Sequence, residues 1–408
     1  MQTGAGPQGV RGSNQSGMRA HNERLVLTLL RRLGPQPKAE IARLTGLSAQ
    51  TVSVIMRALE GDGLIGKGEK QRGKVGQPSV PMHLVPEGAF FFGLKVGRRS
   101  LELVLVDFVG HERGRALMTH TAPSPEAAVG FVTRCAPDLA ARLSPAERKR
   151  IAGLGIGLPF FLWDWADLLG VPADEMAIWR SYDLAGVLAE QLALPVFVEN
   201  DASAACNAEI VFGGDPDREG APAKERPQDF LYAYIGYFVG GGLVLNGALV
   251  TGRTGNAGAI GPMPVPSATA RGGSVPVIQV ASLSRLEARL AAAGHPTASI
   301  WEDAEHWDVD ADLLEAWMAE TAHALAHVAA SAVGLLDLEA LVIDGWMPAA
   351  LRARLVDQVV DELSRIDLTG TMPLAVRAGT VGSAARALGA ASIPLARRFM
   401  AHPNALAL

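Results

Sequence analysis

Apolar residues recur at helical spacing over the first sixty positions and at strand spacing from about position 90 onward. Leu25, Leu29 and Leu30 mark one face of a helix over about 22–33, which stops at Gly34-Pro35. Ile41 and Leu44 mark a second helix over about 38–45, and Gly46-Leu47 turns the chain. Ser48 then caps a third helix over about 49–60, with Val52, Ile55, Met56 and Leu59 facing inward. Its outward set is Gln50, Thr51, Ser53, Val54 and Arg57. The stretches 63–67 and 81–85 read as two short strands around a Gly-rich tip at 69–78.

Beyond Pro86 the pattern changes to buried strands. A hairpin is predicted from Phe90 to Asp107, a helix over about 124–143, and a buried strand from Ile151 that ends at Pro159. Phe160 to Trp165 is unusually aromatic; Trp163 and Trp165 fit core packing, a cleft lining or a subunit contact. A helix over about 183–192 leads to Val196-Phe197-Val198, which reads as a central strand, and then to a helix of small residues that starts at Asn200-Asp201. Asn200 and Asp201 occupy cap positions, where exposed N–H groups favour a carboxylate. Such a carboxylate accepts a ligand hydroxyl or takes its proton; the plainer reading is a cap with no ligand. A second hairpin with a glycine turn starts at Phe230, about 140 residues after the first, which predicts two similar α/β lobes with a cleft between them. Late helices are expected near 310–334, 348–364 and 381–401, the last packing back on the first lobe.

Charge sharpens the picture. Residues 1–83 hold 12 Lys and Arg against 5 Asp and Glu, and the rest hold 25 against 37. A basic head on an acidic body points to a polyanion as the partner of the head. Three short helices with a tight turn before the third, followed by a wing, resemble a winged helix-turn-helix. In that reading Ser48, Gln50, Thr51, Ser53 and Arg57 face DNA, and Arg72 and Lys74 on the wing tip reach phosphates or a minor groove. The plainer alternative is a helical packing module with a solvated basic loop.

The 408 residues suffice for two or three domains: a disordered tail over 1–20, the winged helix over 21–85 and the body over 86–408. The two cysteines, Cys135 and Cys206, form no CxxC pair, and no run is apolar enough for a membrane span or a signal peptide. A cytoplasmic protein with no membrane partner is expected.

Taken together, these features resemble the ROK family, which comprises sugar kinases and sugar-responsive repressors on a two-lobed, actin-like (ribonuclease H-like) α/β fold. The motifs that carry the resemblance are Pro195-Val-x-Val-Glu199-Asn200-Asp201-Ala, the run Gly236 to Gly247, and Ala385-Arg386-Ala387-Leu388-Gly389-Ala390-Ala391. The winged helix matches the repressor branch. The resemblance implies that Asp201 matches the kinases' catalytic base and that Asn200 holds the sugar. The kinase machinery departs from the family pattern elsewhere. Lys95-Val-Gly97-Arg98-Arg99 lacks the acid of the first phosphate loop, and Tyr237 and Phe238 replace the Thr and Gly of the second. Ala259 and Pro262 replace a sugar-binding Glu and a zinc- and sugar-binding His, and no cysteine follows. Gln279 stands where the family has another sugar-contacting Glu.

The expectation is therefore a sequence-specific DNA-binding regulator, a repressor with a sugar-like effector. Asn200, Asp201, Asn256 and Gln279 are its effector contacts, with no catalytic residue, cofactor or metal, acting as a homodimer or homotetramer. The alternatives are a sugar kinase with a fused DNA-binding head, and a ligand-independent regulator whose body only dimerises. Lys95, Arg98 and Arg99 read as a solvated turn ahead of a phosphate site. His323 and His327, spaced i,i+4, read as a polar face ahead of a metal site.

Overall fold

A computed structural model describes residues 15–70, 80–166, 170–214, 226–267, 270 and 272–401. The chain divides into two compact units. The first comprises Met1–Glu199, Pro222–Lys224 and Ala390–Leu408; the second comprises Asn200–Ala221 and Glu225–Gly389.

The first unit opens with helix α1, Gln15–Leu33. The tail expected to be disordered over 1–20 is thus helical from Gln15, and residues 1–14 lie outside the described residues. Arg19 and Glu23 form an i,i+4 ion pair that supports this extra turn. Helix α2, Lys38–Thr45, ends at Gly46 in the left-handed region (φ 66°), which explains the tight turn. Helix α3 spans Ala49–Gly61 and buries Val52, Ile55, Met56 and Leu59, as its spacing predicts. Strands β2, Ile65–Lys67, and β3, Pro81–Leu84, pair antiparallel as the wing; a two-residue strand β1, Gln36–Pro37, adds to the other edge of β3.

The body of the first unit is a five-stranded sheet in the order β6-β5-β4-β7-β8. Its strands are β4, Phe90–Val96; β5, Ser100–Asp107; β6, Glu112–Thr119; β7, Ile151–Leu158; and β8, Val196–Asn200. β5 pairs antiparallel with both β4 and β6, and β7 lies parallel to β4. Helix α4, Pro125–Ala140, packs on this sheet around Phe92, Leu94, Phe131 and Ile156. β8 is an edge strand, not the central strand its composition predicts, and Val198 is 37% exposed. β-Branched content reports compatibility with a pleated surface, and does not distinguish edge from centre. Trp163 packs half-buried on the first core beside Phe161 and Arg180.

The second unit repeats the plan in a sheet of order β11-β10-β9-β14-β15. Its strands are β9, Phe230–Ile235; β10, Gly240–Leu245; β11, Ala248–Val250; β14, Ala340–Gly345; and β15, Ala375–Ala378. Here too three strands form an antiparallel meander; β14 runs parallel to β9, and β15 parallel to β14. A small hairpin of β12, Pro264–Pro266, and β13, Ser274–Pro276, lies between. The long helix Ala311–Leu336 and the helix Ala349–Leu363 fill one side of this sheet, and the helix Asp201–Phe212 packs on β10. Among the described residues no helix is long and apolar enough to cross a membrane.

Candidate DNA-binding head and effector site

The head presents the face its sequence predicts. Ser48 Oγ accepts the backbone N–H of Thr51 at 3.1 Å and lies 2.8 Å from Thr51 Oγ1, so the two hydroxyls fix the start of α3. Gln50, Val54 and Arg57 are exposed on the side of α3 opposite its buried stripe, and Thr51 and Ser53 are half-buried on the flanks of that stripe. Arg72 and Lys74 lie outside the described residues.

The head is tied to the rest of the first unit by a buried contact that periodicity did not reveal. Arg31 Nη2 donates to the carbonyl of Phe108 at 2.5 Å, and its guanidinium sits 5.1 Å from the Phe108 ring centroid. Burial pushes the Arg31 guanidinium down to about 10, against the pull of nearby Asp107. Phe399, at the end of the helix Ala385–Phe399, packs edge-on against Phe108 and Phe91. The N–H of Ala401 donates to Thr28 Oγ1 on α1 at 2.9 Å.

In the second unit, Asn200 is the true cap of the helix Asp201–Phe212. Its Oδ1 accepts the N–H groups of Ala202 and Ser203 at 3.0 and 3.2 Å. Asp201 is the first helical residue, so the two cap positions of the sequence reading reduce to one. The Asp201 carboxylate is buried and meets Arg386 Nη1 at 3.2 Å. Arg386 also lies over the Tyr234 ring, 4.9 Å from its centroid. Burial alone lowers an arginine's pKa; here Tyr234 and Asp201 outweigh it and hold Arg386 above its ordinary value. Among the described residues, Arg386 Nε is buried without a hydrogen-bond partner, as is Ser203 Oγ two residues along the helix from Asp201.

Small residues allow this packing. A Cβ at Gly240 would lie 2.7 Å from the Ala202 side chain, and one at Gly241 would lie 2.5 Å from the Gly258 carbonyl. The loop that carries Asn256 therefore lies against β10. Asn256 is half-buried, and Gln279 is exposed on the turn Val277–Gln279.

Aromatic side chains pack closely in the turn after β9. Tyr237 and Phe238 stack edge-on at 4.8 Å, Tyr237 also meets Trp301, and Phe238 is buried. The Val239 N–H donates to Ser282 Oγ at 3.0 Å. The glycine hairpin of the first unit is not a solvated turn: Lys95 and Arg98 are buried, and Arg99 is exposed. Lys95 Nζ pairs with Glu102 at 3.3 Å, and Glu102 also pairs with Arg115. A buried lysine needs such a partner to offset its desolvation.

His323 and His327 stack at 4.6 Å, and His323 Nδ1 lies 3.0 Å from Glu362 Oε2. Burial and the neighbouring His323 hold His327 below its ordinary value. Among the described residues no group of three His, Cys, Asp or Glu side chains is placed to hold a metal.

Fold and head together define a DNA-binding regulator on a sugar-kinase-like body. The winged helix-turn-helix DNA-binding family matches residues 19–65 and the ROK family matches residues 91–397, so the chain belongs to the ROK family. An uncharacterized protein of Sinorhizobium fredii is 27% identical over 93% of this chain and 91% of its own length. The xylose repressor of Bacillus spizizenii is 26% identical over 62% of each chain. A transcriptional regulator of Mycobacterium tuberculosis is 31% identical over 59% of this chain and 53% of its own. This chain thus spans less than two thirds of those last two relatives. A crystallised ROK family transcriptional regulator, a homologue of the E. coli MLC protein, superposes with a TM-score of 0.64 over 94% of this chain and 98% of its own, at 20% identity. A Streptomyces griseus ROK glucokinase solved with glucose and AMPPNP gives 0.54 over 75% and 99%, at 22% identity. At these identities the two structures speak for the fold.

Proposed function

We propose that the protein is a sequence-specific transcriptional repressor, acting on chromosomal DNA in the cytoplasm and released by a sugar-like effector. The observation that carries the DNA reading is α3: its four apolar residues are buried while Gln50 and Arg57 stand exposed on the opposite face. Glutamine matches the adenine edge and arginine the guanine edge in a major groove. The effector reading rests on the buried Asp201–Arg386 pair, whose Arg386 Nε has no hydrogen-bond partner among the described residues, and on xylose repressors among the relatives. In this reading Asn200 and Asp201 meet effector hydroxyls, with Asn256 and Gln279 contributing from their loops. Arg72 and Lys74 follow the DNA backbone, and a symmetric dimer reads a pseudo-palindrome with half-sites one or two helical turns apart.

Selection of operator sequences followed by footprinting tests the DNA reading. Gln50→Ala is expected to relax base preference at one position per half-site and to cost about 1–3 kcal/mol there. A uniform loss of affinity with unchanged base preference sinks the role of α3. Titration of the operator complex with a panel of monosaccharides tests the effector, and release by none of them favours a body that only dimerises.

The kinase reading is the less favoured one, because Tyr237 and Phe238 fill the second phosphate loop and Lys95 is committed to Glu102. Phosphoryl transfer depends on positioning phosphates and neutralising charge. With Mg-ATP and the same sugar panel, no sugar-dependent ADP release is expected. Release that vanishes in Asp201→Asn restores the kinase reading.

A further inference from the structure

We propose that the cavity where the head meets the body of the first unit is a binding site for a small phosphorylated ligand. The cavity measures about 640 Å3, within the range of roughly 300–1,000 Å3 typical of small-molecule sites. Three separate parts of the chain supply its cations. Arg24 comes from α1, Lys149 and Arg150 from the turn before β7, and Arg398 from the end of the helix Ala385–Phe399. Glu23 and Asp62 are the carboxylates in the wall, and Glu23 is already matched by Arg19 at 2.8 Å. Among the described residues none of the four cations takes part in an ion pair.

Two of the cations have neighbours that bias their positions. Arg150 Nη1 reaches the carbonyls of Glu87 and Gly88 at 3.4 and 3.3 Å, and Gly63, at φ 72°, leaves room for its guanidinium. A Cβ on Gly63 would stand 2.8 Å from Arg150 Nη1. The Arg398 guanidinium lies 5.3 Å from the Phe399 ring centroid. Cations gathered around one concave space repel one another, and an anion placed among them removes that cost. A phosphate monoester carries about −1.5 to −2 charges at neutral pH and three acceptor oxygens, which suit guanidinium forks. A neutral sugar has no comparable partner there. Because Arg24 belongs to the head and Lys149 and Arg150 to the body, one ligand touches both, and its occupancy biases where the head is held.

The test is calorimetric titration of the full chain with glucose 6-phosphate, inorganic phosphate and glucose at about 0.1 M salt. Each phosphate probe is expected to bind saturably at one site per chain. The double variant Lys149→Gln/Arg398→Gln is expected to weaken both by about tenfold or more, as loss of charge-assisted hydrogen bonds does. Both substituted residues are exposed, and a melting curve checks that the variant is folded. Glucose binding that survives in the double variant belongs to another site and leaves the expected result intact. Absence of saturable binding by either phosphate probe overturns the proposal, as does unchanged affinity in the variant, or glucose binding that the variant abolishes. An operator titration across salt concentrations separates the other source of phosphate. If the small probes fail to bind and the double variant flattens the salt dependence of operator binding, these cations contact the DNA backbone and the proposal falls.

Discussion

Arg386→Met is expected to destabilise the protein by about 3–5 kcal/mol, the range for removing one partner of a buried ion pair. The substitution leaves the Asp201 carboxylate in a space from which water is largely excluded, with Asp201 and Arg386 each only 8% exposed. Methionine roughly conserves volume, so the loss reports charge and not a cavity. It also removes the cation from the Tyr234 ring, a contact worth about 0.5–2 kcal/mol. Urea denaturation of the single variants Arg386→Met and Asp201→Asn, and of the double variant, measures the coupling. The double variant is expected to recover much of the loss, because a neutral amide at 201 no longer needs the guanidinium. A double variant as unstable as the summed singles shows that the two side chains do not act as a pair. The same cycle bears on effector sensing. If the pair is the place where a hydroxyl is read, the folded double variant binds operator with wild-type affinity and loses its response to sugars.

That ion pair shows where sequence reasoning reaches its limit. Helix α2 and the apolar stripe of α3 follow directly from spacing, because a helix writes its buried face into residues three and four apart. The repeated hairpin at Phe90 and Phe230 was legible for a similar reason: buried strands leave continuous apolar runs bounded by glycine. Strand β6 left no such mark. It forms the outer edge of its sheet and carries three charges, Glu112 and Arg115 exposed and Arg113 half-buried, and charged side chains protect edges from unwanted pairing. Asp201 was legible as a charged residue at a helix start. Its partner lies 185 residues away, and nothing in either local pattern links them. The clue was present in Arg386 itself, a cation in the first turn of a helix whose next ten residues, Ala387 to Ala396, are all small or apolar. Arg31 was missed in the same way. Its partner Phe108 is 77 residues distant, and Arg31 looks like an ordinary surface residue near the end of α1.

Gly389→Ala is expected to be more damaging than most single methyl additions, costing at least about 3 kcal/mol, the upper end of usual overpacking losses. A Cβ at Gly389 would lie 1.9 Å from the carbonyl oxygen of Ala204, on the helix Asp201–Phe212. The obstacle is backbone, so no rotamer change relieves it. Either the helix Ala385–Phe399 lifts from its neighbour or that helix shifts, and both routes disturb the ends that hold Arg386 and Asp201. Gly155→Ala poses the same problem in the first unit: its Cβ would lie 1.8 Å from the carbonyl oxygen of Ala390. Glycine is required at these two positions for close approach and not for backbone freedom, since neither has a positive φ. Gly130→Ala, in the interior of α4, supplies the contrast. No atom lies within 4 Å of its Cβ position, so this change is expected to stabilise by about 0.5–1 kcal/mol through helix propensity. Thermal melts of the three variants test the argument. Gly389→Ala and Gly155→Ala should melt well below the wild type or fail to accumulate as folded protein, and Gly130→Ala should melt slightly above it. If Gly389→Ala melts with the wild type, the close contact between these two helices is not a feature of the folded protein.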